Sequence, residues 1–135
     1  MDMETVNPDT LALLRNVDTA IVPLPVAAEI SESDDKRRML KTLTDFGPSR
    51  VAITMGENGA VGVDAEGNEF AISPAPCRVV DTTGAGDAFH AGFLFADAKG
   101  VAFPRALDFA AKVASLKCET AGPSVGTEAL EPFRF

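Results

Sequence analysis

The sequence is poor in the residues that several common functions require. It has one histidine, His90, which rules out a metal cluster built on histidines. Its two cysteines, Cys77 and Cys118, lie far apart and in no CxxC pair, so neither a disulfide framework nor a thiolate zinc site is expected, and a reducing cytoplasm is the natural setting. Basic residues are outnumbered, with 12 Lys and Arg against 20 Asp and Glu and a net charge of -8. That balance speaks against nucleic acid as a partner, because phosphate backbones are met by clustered Lys and Arg. A phosphorylated ligand stays open, since backbone amides and Mg²⁺ can supply the positive field. No run approaches the roughly 18 apolar residues of a membrane span, and no basic segment followed by an apolar run marks a signal peptide. The GxxxxGK[ST] pattern is missing, as is a GxGxxG after a strand, which disfavours P-loop enzymes and dinucleotide-dependent oxidoreductases.

What is present reads as a folded domain. The 135 residues are 46% hydrophobic, enough for a core. Asn7-Pro8-Asp9 is a helix start, with Leu11, Leu13 and Leu14 at helical spacing, and residues 18–22 read as a short buried strand. Residues 25–30 open another helix whose boundary Pro23 and Pro25 blur. Ser33-Asp34-Asp35 caps a helix carrying Met39, Leu40, Leu43 and Phe46, ended by Gly47-Pro48. A buried strand at 51–55 leads to a turn at Gly56-Glu57-Asn58-Gly59. Residues 60–64 and 69–73 then flank a hairpin turn, with Cys77 expected in a half-buried strand further on. An Ala- and Phe-rich helix runs to about Ala98, and Pro104 opens a last helix that Gly122-Pro123 terminates. Strands alternating with helices, plus one hairpin, predict an α/β fold with a mostly parallel sheet in three layers.

The chemistry is concentrated in Asp81-Thr82-Thr83-Gly84-Ala85-Gly86-Asp87, followed by Ala88-Phe89-His90-Ala91-Gly92-Phe93-Leu94. A short strand enters a Gly-Ala-Gly turn and leaves as a helix. The glycines let the backbone turn tightly and approach a ligand, and the first amides of the helix lack intrahelical partners at the positive end of the dipole. They form a cradle for an anion such as a transferring phosphoryl group. Asp87 stands at the same helix start, placed to take the proton of an attacking hydroxyl. A plainer reading makes Asp87 only a favourable charge on the helix dipole. Asp81 could pair with it in a two-carboxylate hydrolase, but its place before the turn looks structural. His90 follows Asp87 by three residues, where a packed or solvated ring is the commoner outcome.

The run from Asp81 to Leu94 resembles the signature of the ribokinase-like (PfkB) carbohydrate kinases. Thr54-Met55-Gly56-Glu57-Asn58-Gly59-Ala60 is similar to that family's strand-end loop along the ATP phosphates and ribose. The helix ending Ala110-Ala-Lys-Val-Ala-Ser-Leu-Lys-Cys118 is similar to the one that closes over adenine, and its Lys117-Cys118 ending resembles a ketohexokinase-like branch, which favours a ketose among sugars. The resemblance spans roughly residues 10–127 and implies a three-layer, Rossmann-like α/β fold. It implies ATP-dependent phosphorylation of a sugar hydroxymethyl group, with Asp87 as base and Gly84, Ala85 and Gly86 as the anion hole. Thr54, Gly56, Glu57, Asn58, Gly59 and Cys118 would contact nucleotide. Mg²⁺ would arrive with ATP, and Asp81 and Thr83 would help hold a monovalent cation, K⁺.

Two departures accompany the resemblance. Where the family carries Asn-x-x-Glu to organise Mg²⁺, this chain has Pro23-Leu24-Pro25-Val26-Ala27-Ala28-Glu29, with Glu29 as the nearest acid. Family members are also considerably longer on the N-terminal side, where the sugar pocket and lid reside. The chain is therefore expected to be the C-terminal, nucleotide-binding portion of such a kinase. Its open sheet edge predicts self-association, a homodimer for example. A silent nucleotide-binding module that needs an N-terminal half is the rival expectation.

Overall fold

A computed structural model of the chain describes residues 6–122, and the chain divides into two compact units, Met1–Ala71 and Ile72–Phe135.

In the first unit, α1 (Pro8–Leu14) starts where the Asn-Pro pair demands it. The Asn7 side-chain oxygen accepts from the Asp9 and Thr10 amides at 3.0 and 2.9 Å, and the Thr10 hydroxyl accepts from the Asn7 amide at 2.9 Å. This reciprocal cap satisfies donors the helix cannot. Strand β1 (Thr19–Pro23) runs directly into α2 (Leu24–Ser31), with Pro23 as the cap and Pro25 in the first turn, so the two prolines help the helix begin rather than break it. Helix α3 (Lys36–Asp45) is capped by Asp35, which accepts from the Arg38 amide at 2.8 Å, and buries Met39, Leu40 and Leu43.

Strand β2 (Arg50–Thr54) pairs parallel with β1, Ala20 opposite Val51 and Val22 opposite Ile53. Both strands bury three consecutive residues, the unbroken apolar pattern of strands covered on both faces. A single 3₁₀ turn, Gly56–Asn58, links β2 to β3 (Ala60–Val63), which pairs antiparallel with β2 and alternates buried and half-buried residues. Strand β4 (Glu69–Ile72) closes the order β1-β2-β3-β4. The described sheet is thus mixed, because the predicted hairpin follows directly on the second parallel strand. The hairpin turn is held by Asp64, whose carboxylate accepts from the Glu66 and Asn68 amides and the Asn68 side chain. The Asn68 side-chain amide, helped by the backbone donors, keeps this carboxyl below its ordinary range.

The second unit is built on a helix pair, α4 (Ala85–Ala98) and α5 (Phe103–Cys118). Phe93 meets Phe103 edge to face at 5.8 Å between ring centroids, and Phe95 lies 5.9 Å from Phe109. The helices approach each other closely at Gly92, where a Cβ would stand 3.1 Å from the Ala110 Cα and from the Val113 side chain. Cys77, expected in a strand, lies half-buried in an irregular segment instead. The backbone just beyond it, at Arg78, Val80 and Asp81, bonds to Cys118 and Glu119 at the end of α5. Helix α5 ends at Cys118, before the predicted stop at Gly122-Pro123, and Pro123 lies outside the described residues. Among the described residues no helix is long and apolar enough to cross a membrane.

Candidate functional site

The sequence-derived site residues fall into two groups, one on each unit. In the first unit Thr54 ends β2, and Gly56, Glu57 and Asn58 form the exposed 3₁₀ turn beyond it. The turn is tied at its base, with the Met55 amide donating to Gly59 O at 2.8 Å and the Gly59 amide to Gly56 O at 3.0 Å. It projects from the carboxyl end of a parallel strand, where open α/β sheets bind ligands.

The second group centres on the start of α4. Gly84 caps the helix in the left-handed conformation, φ 77° and ψ 9°, which a side chain would strain. The chain can therefore turn sharply out of Thr82-Thr83 into the helix. Of the three residues expected to form an anion hole, Ala85 is engaged by the chain itself, its N–H donating to Thr82 O at 3.1 Å, because the helix begins at Ala85. Among the described residues the Gly84, Gly86 and Asp87 amides meet no acceptor, so two of the three expected donors stay open and Asp87 adds another. Asp87 occupies the first helical turn and is exposed. Its carboxylate thus faces solvent beside two unengaged amides at the positive helix end.

His90 turns back on its own helix, with Nδ1 2.8 Å from Gly86 O. A carbonyl only accepts, so Nδ1 carries the proton there and the ring serves the helix wall.

The loop before α4 is anchored to the end of α5. The Val80 and Asp81 amides both donate to Cys118 O, at 2.7 and 3.1 Å, and the Arg78 amide donates to the Glu119 carboxylate at 3.0 Å. The two bonds to Cys118 O occupy a carbonyl the helix end leaves open. Asp81 is the knot. Its carboxylate accepts from the Thr83 amide at 2.9 Å and the Gly122 amide at 3.0 Å, while Lys117 Nζ donates to its backbone oxygen at 3.1 Å. The hydrogen bonds from Thr83, then that from Gly122, then the Lys117 charge hold the Asp81 carboxyl down at about 2.

A folded-state value below the ordinary 3.8 means this contribution is present in full above about pH 4 and fades as pH falls toward 2. The stability advantage of the native protein over Asp81→Asn, followed by thermal unfolding, should be constant near neutrality and shrink across that acid window. An advantage that does not change with pH would contradict the assignment.

Lys117 entered the sequence reading only as part of the Lys117-Cys118 ending, with no role of its own. It is fully buried at the last turn of α5, bonded to Asp81 O and to Thr120 O at 3.3 Å. The signal was a lysine continuing the apolar face of Ala110, Val113 and Ala114. Cys118 is half-buried, and burial raises its thiol above the ordinary range, with the neighbouring Cys77 adding to the shift. Among the described residues no three His, Cys, Asp or Glu side chains gather as a metal cluster, and Glu29 is exposed on α2.

The chain is similar to known proteins in sequence and fold. Residues 6–130 match the model of the pfkB family carbohydrate kinases. The fructoselysine 6-kinase of Escherichia coli (strain K12) is 35% identical over 96 residues, covering 70% of this chain and 34% of that protein. The ribokinase of Bacillus subtilis (strain 168) is 42% identical over 79 residues, 58% of this chain and 27% of that one. The structure of Arabidopsis thaliana ribokinase complexed with ribose and ATP superposes with a TM-score of 0.84 at 26% identity, covering 99% of this chain and 46% of that chain. A probable sugar kinase from Rhizobium etli CFN 42 gives 0.82 at 29% identity, over 92% and 38%. The chain therefore spans about a third of the length of the curated relatives it matches. A carboxylate at a Gly-Ala-Gly helix start, a ribokinase-like fold and a family match over nearly the whole sequence lead to one conclusion: the chain belongs to the pfkB family of carbohydrate kinases.

Proposed function

We propose that this chain carries the phosphoryl-transfer machinery of a cytoplasmic ATP:sugar phosphotransferase that esterifies a hydroxymethyl group. The observation that carries the reading is the exposed Asp87 in the first turn of α4, beside the Gly86 and Asp87 amides. Asp87 accepts the proton of the sugar hydroxyl as its oxygen attacks the γ-phosphorus. The Gly86 and Asp87 amides, with the dipole of a 14-residue helix behind them, stabilise the charge that builds on the transferring group. ADP leaves with the electrons of the broken P–O bond. Gly56, Glu57 and Asn58 hold the nucleotide, with Thr54 and Gly59 fixing the ends of their turn, and Cys118 lies at the adenine. Mg²⁺ brought by ATP and held by phosphate and water oxygens supplies charge neutralisation when bound.

Relatives named for fructoselysine, ribose and cytidine favour a sugar-bearing acceptor. A second reading, a nucleotide-binding portion that turns over only with a further, sugar-binding segment, is favoured by the 34% coverage of the fructoselysine kinase. A coupled ADP-release assay, with and without a pool of keto- and aldo-sugars, separates the two. Sugar-stimulated ADP release is expected on the first reading. ATP binding without any sugar effect would overturn it and leave the second.

A further inference from the structure

We propose that the ammonium of Lys117 stands where the resemblance puts a monovalent cation, so that this protein carries its own cation and is independent of K⁺. The inference deepens the reading of the 81–87 loop as a phosphoryl-transfer loop. It starts from the acceptors that surround Lys117 Nζ. They are backbone carbonyls, Asp81 O at 3.1 Å and Thr120 O at 3.3 Å, the ligand type with which proteins strip and hold alkali cations. One belongs to the residue that opens the loop and the other to the turn after α5, so a single positive charge ties the two together.

The surroundings are those of a cation site. The Asp81 carboxylate stands over the same turn, fixed by the Thr83 and Gly122 amides. Lys117 is shut off from solvent, and a buried ammonium persists only where acceptors and a counter-charge compensate for lost water. A metal cation brought to Asp81 and Thr83 would find the Asp81 carbonyl already engaged by a like charge. Asp81 and Thr83 therefore do not fit K⁺ in this chain, and the reason is covalent: the cation is attached to α5.

The position of Lys117 makes the substitution functional as well as structural. The oxygen it holds belongs to the residue that begins the turn into Gly84, so Lys117 is a positioning residue for the α4 amides and Asp87. Truncating it should empty the cradle and leave the carbonyls and the Asp81 carboxylate without a cation. A soluble one would then be recruited.

The test needs no turnover, so its failure is distinguishable from failure of the kinase reading. Thallium(I), a K⁺ surrogate, is titrated into the protein by thallium NMR. Unfolding midpoints are measured in KCl and in N-methylglucamine chloride at equal ionic strength. The native protein should show no saturable thallium shift and equal midpoints in the two salts. Lys117→Ala should gain a saturable shift and a midpoint that rises with K⁺. Lys117→Arg, which keeps the charge, should behave as the native protein does. Saturable thallium binding to the native protein overturns the proposal, and so does a folded Lys117→Ala that ignores K⁺. Should Lys117→Ala fail to fold in either salt, the native protein and Lys117→Arg decide. Absence of thallium binding in both supports the proposal, and binding in either overturns it.

Discussion

Asp87→Asn should lower kcat by about 1,000-fold, within the usual range for loss of a general base, while KM for ATP stays within about twofold. The substitution keeps the shape of the side chain and its place in the first turn of α4, so the backbone amides of Gly86 and Asp87 remain where they are. What it removes is an acceptor for the hydroxyl proton. A loss of that size corresponds to about 4 kcal/mol in the barrier, far more than the helix dipole could account for. An exposed carboxylate in a first helical turn contributes about 0.3–1 kcal/mol to stability. The plainer role for Asp87 therefore predicts a slightly less stable protein with unchanged turnover. Measuring kcat, KM for ATP and the unfolding midpoint of the same variant separates the two roles, and retention of most activity would refute the base.

Gly92→Val is expected to destabilise the α4–α5 pair by about 2–3 kcal/mol, the cost of forcing extra volume into a packed contact. Gly92 is buried, and the atoms its Cβ would meet include the Ala110 backbone at 3.1 Å, which cannot rotate away as a side chain could. A branched side chain must push the helices apart, loosening the Phe93–Phe103 contact nearby. The loss should reach the loop as well, because Cys118 and Lys117 at the end of α5 hold Asp81. Denaturant unfolding of Gly92→Ala and Gly92→Val should give a graded series, the alanine variant falling between native and valine. Equal stability of all three would show that the helices do not pack through this glycine.

Local chemistry made much of the fold legible before any coordinates. The Asn7-Pro8 helix start, the Asp35 cap and the Asp64–Asn68 hairpin turn rest on residues that bond to their own neighbours, so sequence spacing is enough to find them. The buried strands β1 and β2 announced themselves as apolar runs. What stayed hidden depends on contacts between distant segments. Cys77 was expected in a strand because nothing near it says that the amides of Arg78, Val80 and Asp81 bond to residues 118 and 119. Lys117 was read only as part of a family-like ending, since the oxygen that makes it a buried cation lies 36 positions away.

In the site itself, composition and turn chemistry put a carboxylate and open amides at one helix start. The engagement of the Ala85 amide follows from Gly84 adopting the left-handed cap, which lets Ala85 bond back to Thr82. That preference is common to many Gly-containing turns, so the precise hydrogen-bond pattern could not be read from the letters alone.

The most direct check is the fate of the γ-phosphate. With ATP, Mg²⁺ and a responsive sugar, phosphorus NMR should show a new phosphomonoester coupled to a hydroxymethyl carbon, growing in step with ADP and absent with Asp87→Asn. Inorganic phosphate appearing in place of that ester would contradict the account, because it would mean that the pocket at the start of α4 activates water and not a sugar hydroxyl.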